Sequence, residues 1–290
     1  MIWASGWRLA SAVSNAGGLG ILGGGSMYPD VLQEHIRKCK SATSRPFGVN
    51  VPLLYPDIDK HIQIILEEGV KIVFTSAGNP KTWSNVLKKN GVTVVHVVSS
   101  SKFAKKAEDA GCDAVVAEGF EAGGHNGREE TTTMVLIPSV VEAVKIPVIA
   151  AGGIATGRQM LAAMVMGAEG AQMGSRFVAS EEASSHISFK EAVINAEEGS
   201  TVLTMKQLTP VRLIKNKFYQ QVMEAEQRGA TTDELKALLG RARAKRGMFE
   251  GSMDEGELEI GQVSSLLRSI LPAGQIVKNV WNEFEEALAN

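Results

Sequence analysis

Cysteine is nearly absent: Cys39 and Cys112 are the only two in 290 residues. Cys39 lies in a Lys/Arg-rich helical stretch and Cys112 in a Gly-Cys-Asp turn, and neither shows a metal-ligand spacing or a histidine partner in sequence. A disulfide framework is thereby excluded, and two reduced structural thiols in a cytoplasmic protein are expected. Neither H-E-x-x-H nor C-x-x-C occurs, so no catalytic metal is expected. A dominant charge is lacking too. The 30 Lys and Arg stand against 32 Asp and Glu, a net charge of −2, which offers no electrostatic footprint for nucleic acid. No apolar run approaches the ~20 residues of a membrane span. Met1-Ile2-Trp3-Ala4 has no basic stretch leading into an apolar one, so no signal peptide is expected.

What is present is a core: 44% of the residues are hydrophobic, and the length fits one large α/β barrel or two ordinary domains. Short apolar runs begin at residues 19, 47, 71, 92, 114, 147 and 170, the second running from Phe47 to Pro52, with helical stretches between them, one of them Ser139 to Lys145. Strands that are apolar throughout are buried on both faces, and their alternation with helices indicates a parallel α/β sheet. The even spacing, with glycine-rich turns at the strand C-termini, favours a (β/α)8 TIM barrel over an open sheet. Only seven strands are visible, and the chain begins on a helix, Gly6 to Ala16. A first strand is therefore expected ahead of Met1, and a product extended upstream is expected to be more stable, since an open remnant leaves two sheet edges unpaired. After Phe177 the rhythm changes. Residues 178 to 260 are charged and read as a helical cap without strands, and 261 to 290 read as a return to the barrel ending in an amphipathic helix.

The stretch Ala114-Val-Val-Ala-Glu-Gly-Phe-Glu-Ala-Gly-Gly-His-Asn-Gly127 concentrates chemistry: a strand runs into a glycine-rich turn holding Glu118, Glu121 and His125. Glycines at 123, 124 and 127 let the backbone approach a flat ligand, and histidine titrates near neutrality. A glycine-flanked histidine alone would read as a loop cap. Two late turns strengthen the functional reading: Ala150-Ala-Gly-Gly-Ile154 and Gln172-Met-Gly-Ser-Arg176. Loops after the last strands of such barrels commonly bind a phosphate through backbone N–H groups. Gly18-Leu-Gly-Ile-Leu-Gly23 fits G-x-G-x-x-G but follows a helix, so it reads as a helix-to-strand turn and not as a dinucleotide fingerprint. His96 sits mid-strand as a core residue, while His35, His61 and His186 are expected at the surface.

Glu118-Gly-Phe-Glu-Ala-Gly-Gly-His125, Pro147-Val-Ile-Ala-Ala-Gly-Gly-Ile154 and Gly170-Ala-Gln-Met-Gly-Ser-Arg-Phe177 together resemble the FMN-dependent family that unites nitronate monooxygenases with FabK-type enoyl-ACP reductases. Asn15-Ala-Gly-Gly-Leu-Gly20 and Phe47-Gly-Val-Asn50 match as well, and Pro210-Val-Arg-Leu-Ile-Lys-Asn216 looks closer to the reductase branch. The resemblance implies an FMN phosphate held by Gly152, Gly153, Gly174 and Ser175, where family members often carry threonine at the last position. It places Asn50, Glu118 and Gly123 along the ribityl chain or ring and His125 beside the flavin as the catalytic residue. It implies a homodimeric enoyl-ACP reductase that uses NADH or NADPH. The alternatives are a nitronate monooxygenase and, from another class, a non-catalytic flavin-binding remnant. The basic run Arg241-Ala-Arg-Ala-Lys-Arg246 could dock an acidic acyl carrier protein, but a solvated face neutralised by the acids from Asp254 to Glu259 is the preferred reading.

Overall fold

Seven short apolar strands form one parallel sheet in the computed structural model, which describes residues 1–290. They are β1 (Gly20–Gly23), β2 (Phe47–Pro52), β3 (Ile72–Ser76), β4 (Thr93–Val98) and β5 (Ala114–Glu118), then β7 (Val148–Ala151) and β8 (Gly170–Gln172). The intervening β6 (Gly124–His125) belongs to a second sheet. Strand order follows the chain, and every neighbouring pair is parallel. Helix α1 (Trp7–Asn15) precedes β1, and α2 (Pro29–Ala42), α3 (Ile58–Glu67), α4 (Ser84–Lys89), α5 (Ser101–Asp109), α6 (Thr133–Ala143) and α7 (Gly157–Val165) make the six crossovers. The sheet curls into a TIM-barrel-like half-barrel whose edges are β1 and β8. These are the seven strands expected from the sequence.

The pleat sorts each strand into an outward and an inward row. Val73, Val94, Val115, Ala117, Val148 and Ala150 pack outward under the helices. Phe74, Val95, Ala114, Val116 and Ala151 pack inward as a separate small cluster. Burying each large aliphatic chain of the outer layer stabilises by about 1.5–3 kcal/mol. Period two then places Asn50 on the inward row of β2 and Glu118 on that of β5, the last residue of its strand. Register does the rest: Asn50 lies beside Gly23 and Phe74, and Glu118 lies beside Ala151. Gly20 shows why the 18–23 glycines are structural, because a Cβ there would sit 1.9 Å from the Ala10 carbonyl oxygen of α1. His96 is a core residue as expected. Its Nδ1 lies 2.7 Å from Thr75 Oγ1, and burial pushes its pKa down to about 4.

Three expectations are corrected. The sixth helix begins at Thr133, not Ser139, with Pro138 tolerated inside it. His61 is fully buried, because Ile58, His61, Ile62 and Ile65 share the inward face of α3, and its ring stacks on Tyr55 at 4.6 Å. The cap is not all helical. Between α8 (Ser175–Val178), α9 (Ile187–Ile194) and the pair α10 (Lys217–Gln227) and α11 (Thr232–Leu239) lie β9 (Thr201–Thr204) and β10 (Val211–Ile214). They pair antiparallel, and β6 joins the other edge of β10, with Val211 opposite His125 and Arg212 opposite Gly124. Four-residue strands flanked by charge give little periodic signal. The partner that completes this sheet comes from the barrel loop, some ninety residues earlier.

The last segment closes the assembly. Ile214 N–H donates to the Leu258 carbonyl, and Leu213 bridges to Glu259. Terminal helix α12 (Ala273–Ala289) then packs along α7, where Gly157 leaves no room for a side chain against the Val280–Phe284 backbone. In the basic run, Arg243 pairs with Glu255 at 3.2 Å and lies over the Phe218 ring, while Lys245 pairs with Glu250 at 3.0 Å.

Candidate active site

The site residues expected from the sequence lie toward the C-terminal ends of the barrel strands or in the loops that follow. Three turns and one strand form the mouth. The Gly152-Gly153 turn after β7 runs at φ +82° and +70°, a left-handed path that favours glycine. A Cβ on Gly152 would come within 2.7 Å of the Gly119 carbonyl oxygen, so this turn lies flat on the loop after β5. The Gly174-Ser175 turn after β8 opens α8. Gly174 has an ordinary φ of −99°, and a Cβ there would meet only the Met1 side chain, at 3.6 Å and beyond. Only that flexible side chain stands near its Cβ position. Ser175 Oγ accepts the Gly261 N–H at 3.0 Å, which leaves its own O–H free to donate.

Loop 119–125 is fixed from two sides. Thr133 N–H donates to the Glu121 carboxylate at 2.9 Å, and the Thr133 hydroxyl is shared between Glu121 and the Gly152 carbonyl. One carboxylate thus caps α6 and ties the histidine loop to the β7 turn. From the cap, buried Arg212 donates to the Phe120 carbonyl through Nε and Nη2 and stacks its guanidinium 4.5 Å over the Phe120 ring. A Cβ on Gly123 would strike the Ile260–Gly261 backbone at 2.4–2.6 Å, so chain packing requires the missing side chain there. His125 ends the loop as an exposed side chain on β6, its ring nitrogens unengaged by protein groups.

Sequence reasoning missed Arg212 and Glu257 with Glu259. The acids from Asp254 to Glu259, read only as neutralising the basic run, divide: Asp254 and Glu255 are exposed, while Glu257 and Glu259 turn inward. In Glu257-Leu258-Glu259-Ile260, Leu258 and Ile260 join a core cluster, and the two acids fall on alternate positions. That alternation between Gly256 and Gly261 was the available signal. Burial pushes the Glu118 carboxyl up to about 7, with the nearby Met1 amino group pulling it down. Burial and the neighbouring Glu259 push Glu257 up to about 8, and burial raises Glu259 as well.

These shifts have a sign for stability. From the ordinary carboxyl value of 4.5 up to about 7 for Glu118 and about 8 for Glu257, the folded chain holds protons that the unfolded chain releases. Both groups therefore subtract stability as pH rises through that window. Thermal melts from about pH 5 to about pH 8 are expected to show a smaller loss of Tm for Glu118→Gln/Glu257→Gln than for the wild type. Parallel Tm profiles would contradict the buried placement.

The comparisons bear on this site. The family model described as nitronate monooxygenase matches residues 1–60 and 54–283. The chain belongs to the nitronate monooxygenase family. Among solved structures, FabK from Thermotoga maritima is 42% identical with a TM-score of 0.94, covering 100% of this chain and 92% of that one. A relative from Mycobacterium tuberculosis, (3aS,4S,5R,7aS)-5-hydroxy-7a-methyl-1-oxo-octahydro-1H-indene-4-carboxyl-CoA dehydrogenase, is 29% identical over 97% of this chain and 90% of its own. A probable nitronate monooxygenase of Staphylococcus saprophyticus is 31% identical over 97% and 92%. This member of the family is a flavin-dependent oxidoreductase. No helix is long and apolar enough to cross a membrane.

Proposed function

We propose that the chain binds FMN and reduces the double bond of an enoyl thioester, the acyl-carrier-protein ester of fatty-acid synthesis, with NADH or NADPH. The observation that carries this reading is the likeness to FabK from Thermotoga maritima over the whole chain. The Mycobacterium tuberculosis relative, whose name describes a CoA ester, supports the thioester class. Residues at the mouth fit the cofactor. Gly174 presents open backbone, Ser175 a free O–H, and Gly152-Gly153 a left-handed turn, a combination suited to a phosphate. Asn50 and Glu118, inward-facing at their strand ends, would line the ribityl chain or ring. Bound FMN supplies hydride transfer between nicotinamide and substrate.

His125 is exposed and unengaged, free to donate a hydrogen bond to the thioester carbonyl. That bond strengthens as charge builds on the oxygen and so favours the transition state. Anaerobic NAD(P)H oxidation that depends on added crotonyl thioester is the expected result. A second reading, nitronate oxidation, is favoured by the family model and the staphylococcal relative. Rapid O2 consumption with propyl nitronate, and no thioester-dependent oxidation, would select it.

A further inference from the structure

The α-carbon of the substrate needs a proton, and His125 is poorly built to be its source. Nothing in the chain hydrogen-bonds its ring, so neither a tautomer nor an orientation is fixed. Glu259 stands beside it. Along one edge of β10, His125 lies opposite Val211, Gly124 opposite Arg212 and Glu259 opposite Leu213. The Glu259 carboxyl folds over Gly124, its Oε2 2.7 Å from where a Cβ on that glycine would be. Gly124 runs at φ +76°, so the strand end is shaped around this acid. Neither Glu257 nor Glu259 has an ion-pair partner. Arg243, which faces Glu257, is committed to Glu255 at 3.2 Å and to the carbonyls of Leu238, Leu239 and Glu255.

We propose that Glu259 is a catalytic residue: the acid that protonates the α-carbon of the enoyl thioester, while His125 polarises its carbonyl. The assignment rests on the reductase reading above. Bound FMN would supply the β-carbon with hydride drawn from NAD(P)H, with NAD(P)+ as the product. The Glu259 O–H bond breaks as the α C–H bond forms, and solvent returns a proton to the carboxylate. The groups facing Glu259 are Glu257 on its own segment, His125 on β6 and the Met1 amino group, which Glu118 at the end of β5 also faces. Burial holds the proton on Glu259, with His125 and the amino group drawing the other way. Two titratable groups in one mouth, one desolvated and one exposed, separate the two roles.

Half-reactions test this. In Glu259→Gln, FMN content and flavin reduction by NAD(P)H are expected to match the wild type. Re-oxidation of the reduced protein by crotonyl-CoA is expected to slow about 100-fold or more, with Glu259→Asp recovering part of the rate. In the wild type the same rate is expected to fall as pH rises above the ordinary carboxyl range, because burial raises Glu259. Should the Gln variant not fold, this pH profile decides alone. Wild-type re-oxidation in Glu259→Gln, or a flat wild-type profile, overturns the assignment and leaves the reductase reading standing. A wild type that crotonyl-CoA does not re-oxidise removes the reductase reading and the assignment with it.

Discussion

Replacing His125 with alanine leaves a yellow, folded protein whose thioester-dependent turnover falls about 10²–10³-fold. The two halves of that result have separate causes. His125 is exposed and makes no side-chain hydrogen bond, so nothing in the fold depends on its ring. Truncation at such a site changes stability by no more than about 0.5 kcal/mol. The anion turns are on other strands, so flavin content should be unchanged. What is lost is the donor to the thioester oxygen, an interaction strongest in the transition state. Turnover and flavin absorbance in the same preparation check both halves. Full activity in His125→Ala removes the histidine from the mechanism.

The second large effect is the reverse: Gly174→Val is expected to fold normally and emerge colourless. Gly174 has a backbone conformation that any residue adopts, and a Cβ there meets only the Met1 side chain at 3.6–3.7 Å. A valine therefore costs the fold little. It projects its branches into the space where an anion would approach the backbone N–H groups. Comparable changes at Gly152 or Gly123 would be uninformative, since a side chain there collides with Gly119 or with Ile260–Gly261 and damages the fold itself. The expected readout is a Tm close to that of the flavin-free wild type, with bound FMN lost through gel filtration. Full FMN occupancy in Gly174→Val would contradict the phosphate assignment.

The barrel was legible because its strands are buried on both faces and separated by amphipathic helices, so each leaves a continuous apolar run. Phe47–Pro52 was read to the residue. Turn chemistry was legible for a related reason, since glycine is required where the path is left-handed, as at Gly152 and Gly153. Thr133 was lost because Pro138 hid the first turns of α6. The cap sheet was lost because β9 and β10 are completed by Gly124–His125, a pairing that local pattern does not carry. His61 shows the limit of reading surroundings: its neighbours in sequence are charged, while its helical phase points inward. For Glu259, the four acids between 254 and 259 obscured the alternation of 257 and 259 with buried Leu258 and Ile260. Gly123 was read as a point of close approach to a ligand, and no sequence signal showed that its missing side chain also admits the Ile260–Gly261 backbone.

The grip on a phosphate by the Gly152-Gly153 and Gly174-Ser175 turns is the claim from which the rest follows. Calorimetric titration of the wild type with FMN and with riboflavin, which differ only in that phosphate, tests it most directly. FMN is expected to bind one per chain and at least about 100-fold more tightly, the value of two or so hydrogen bonds to a charged group. Equal affinity for riboflavin, or no binding of FMN at all, would contradict it.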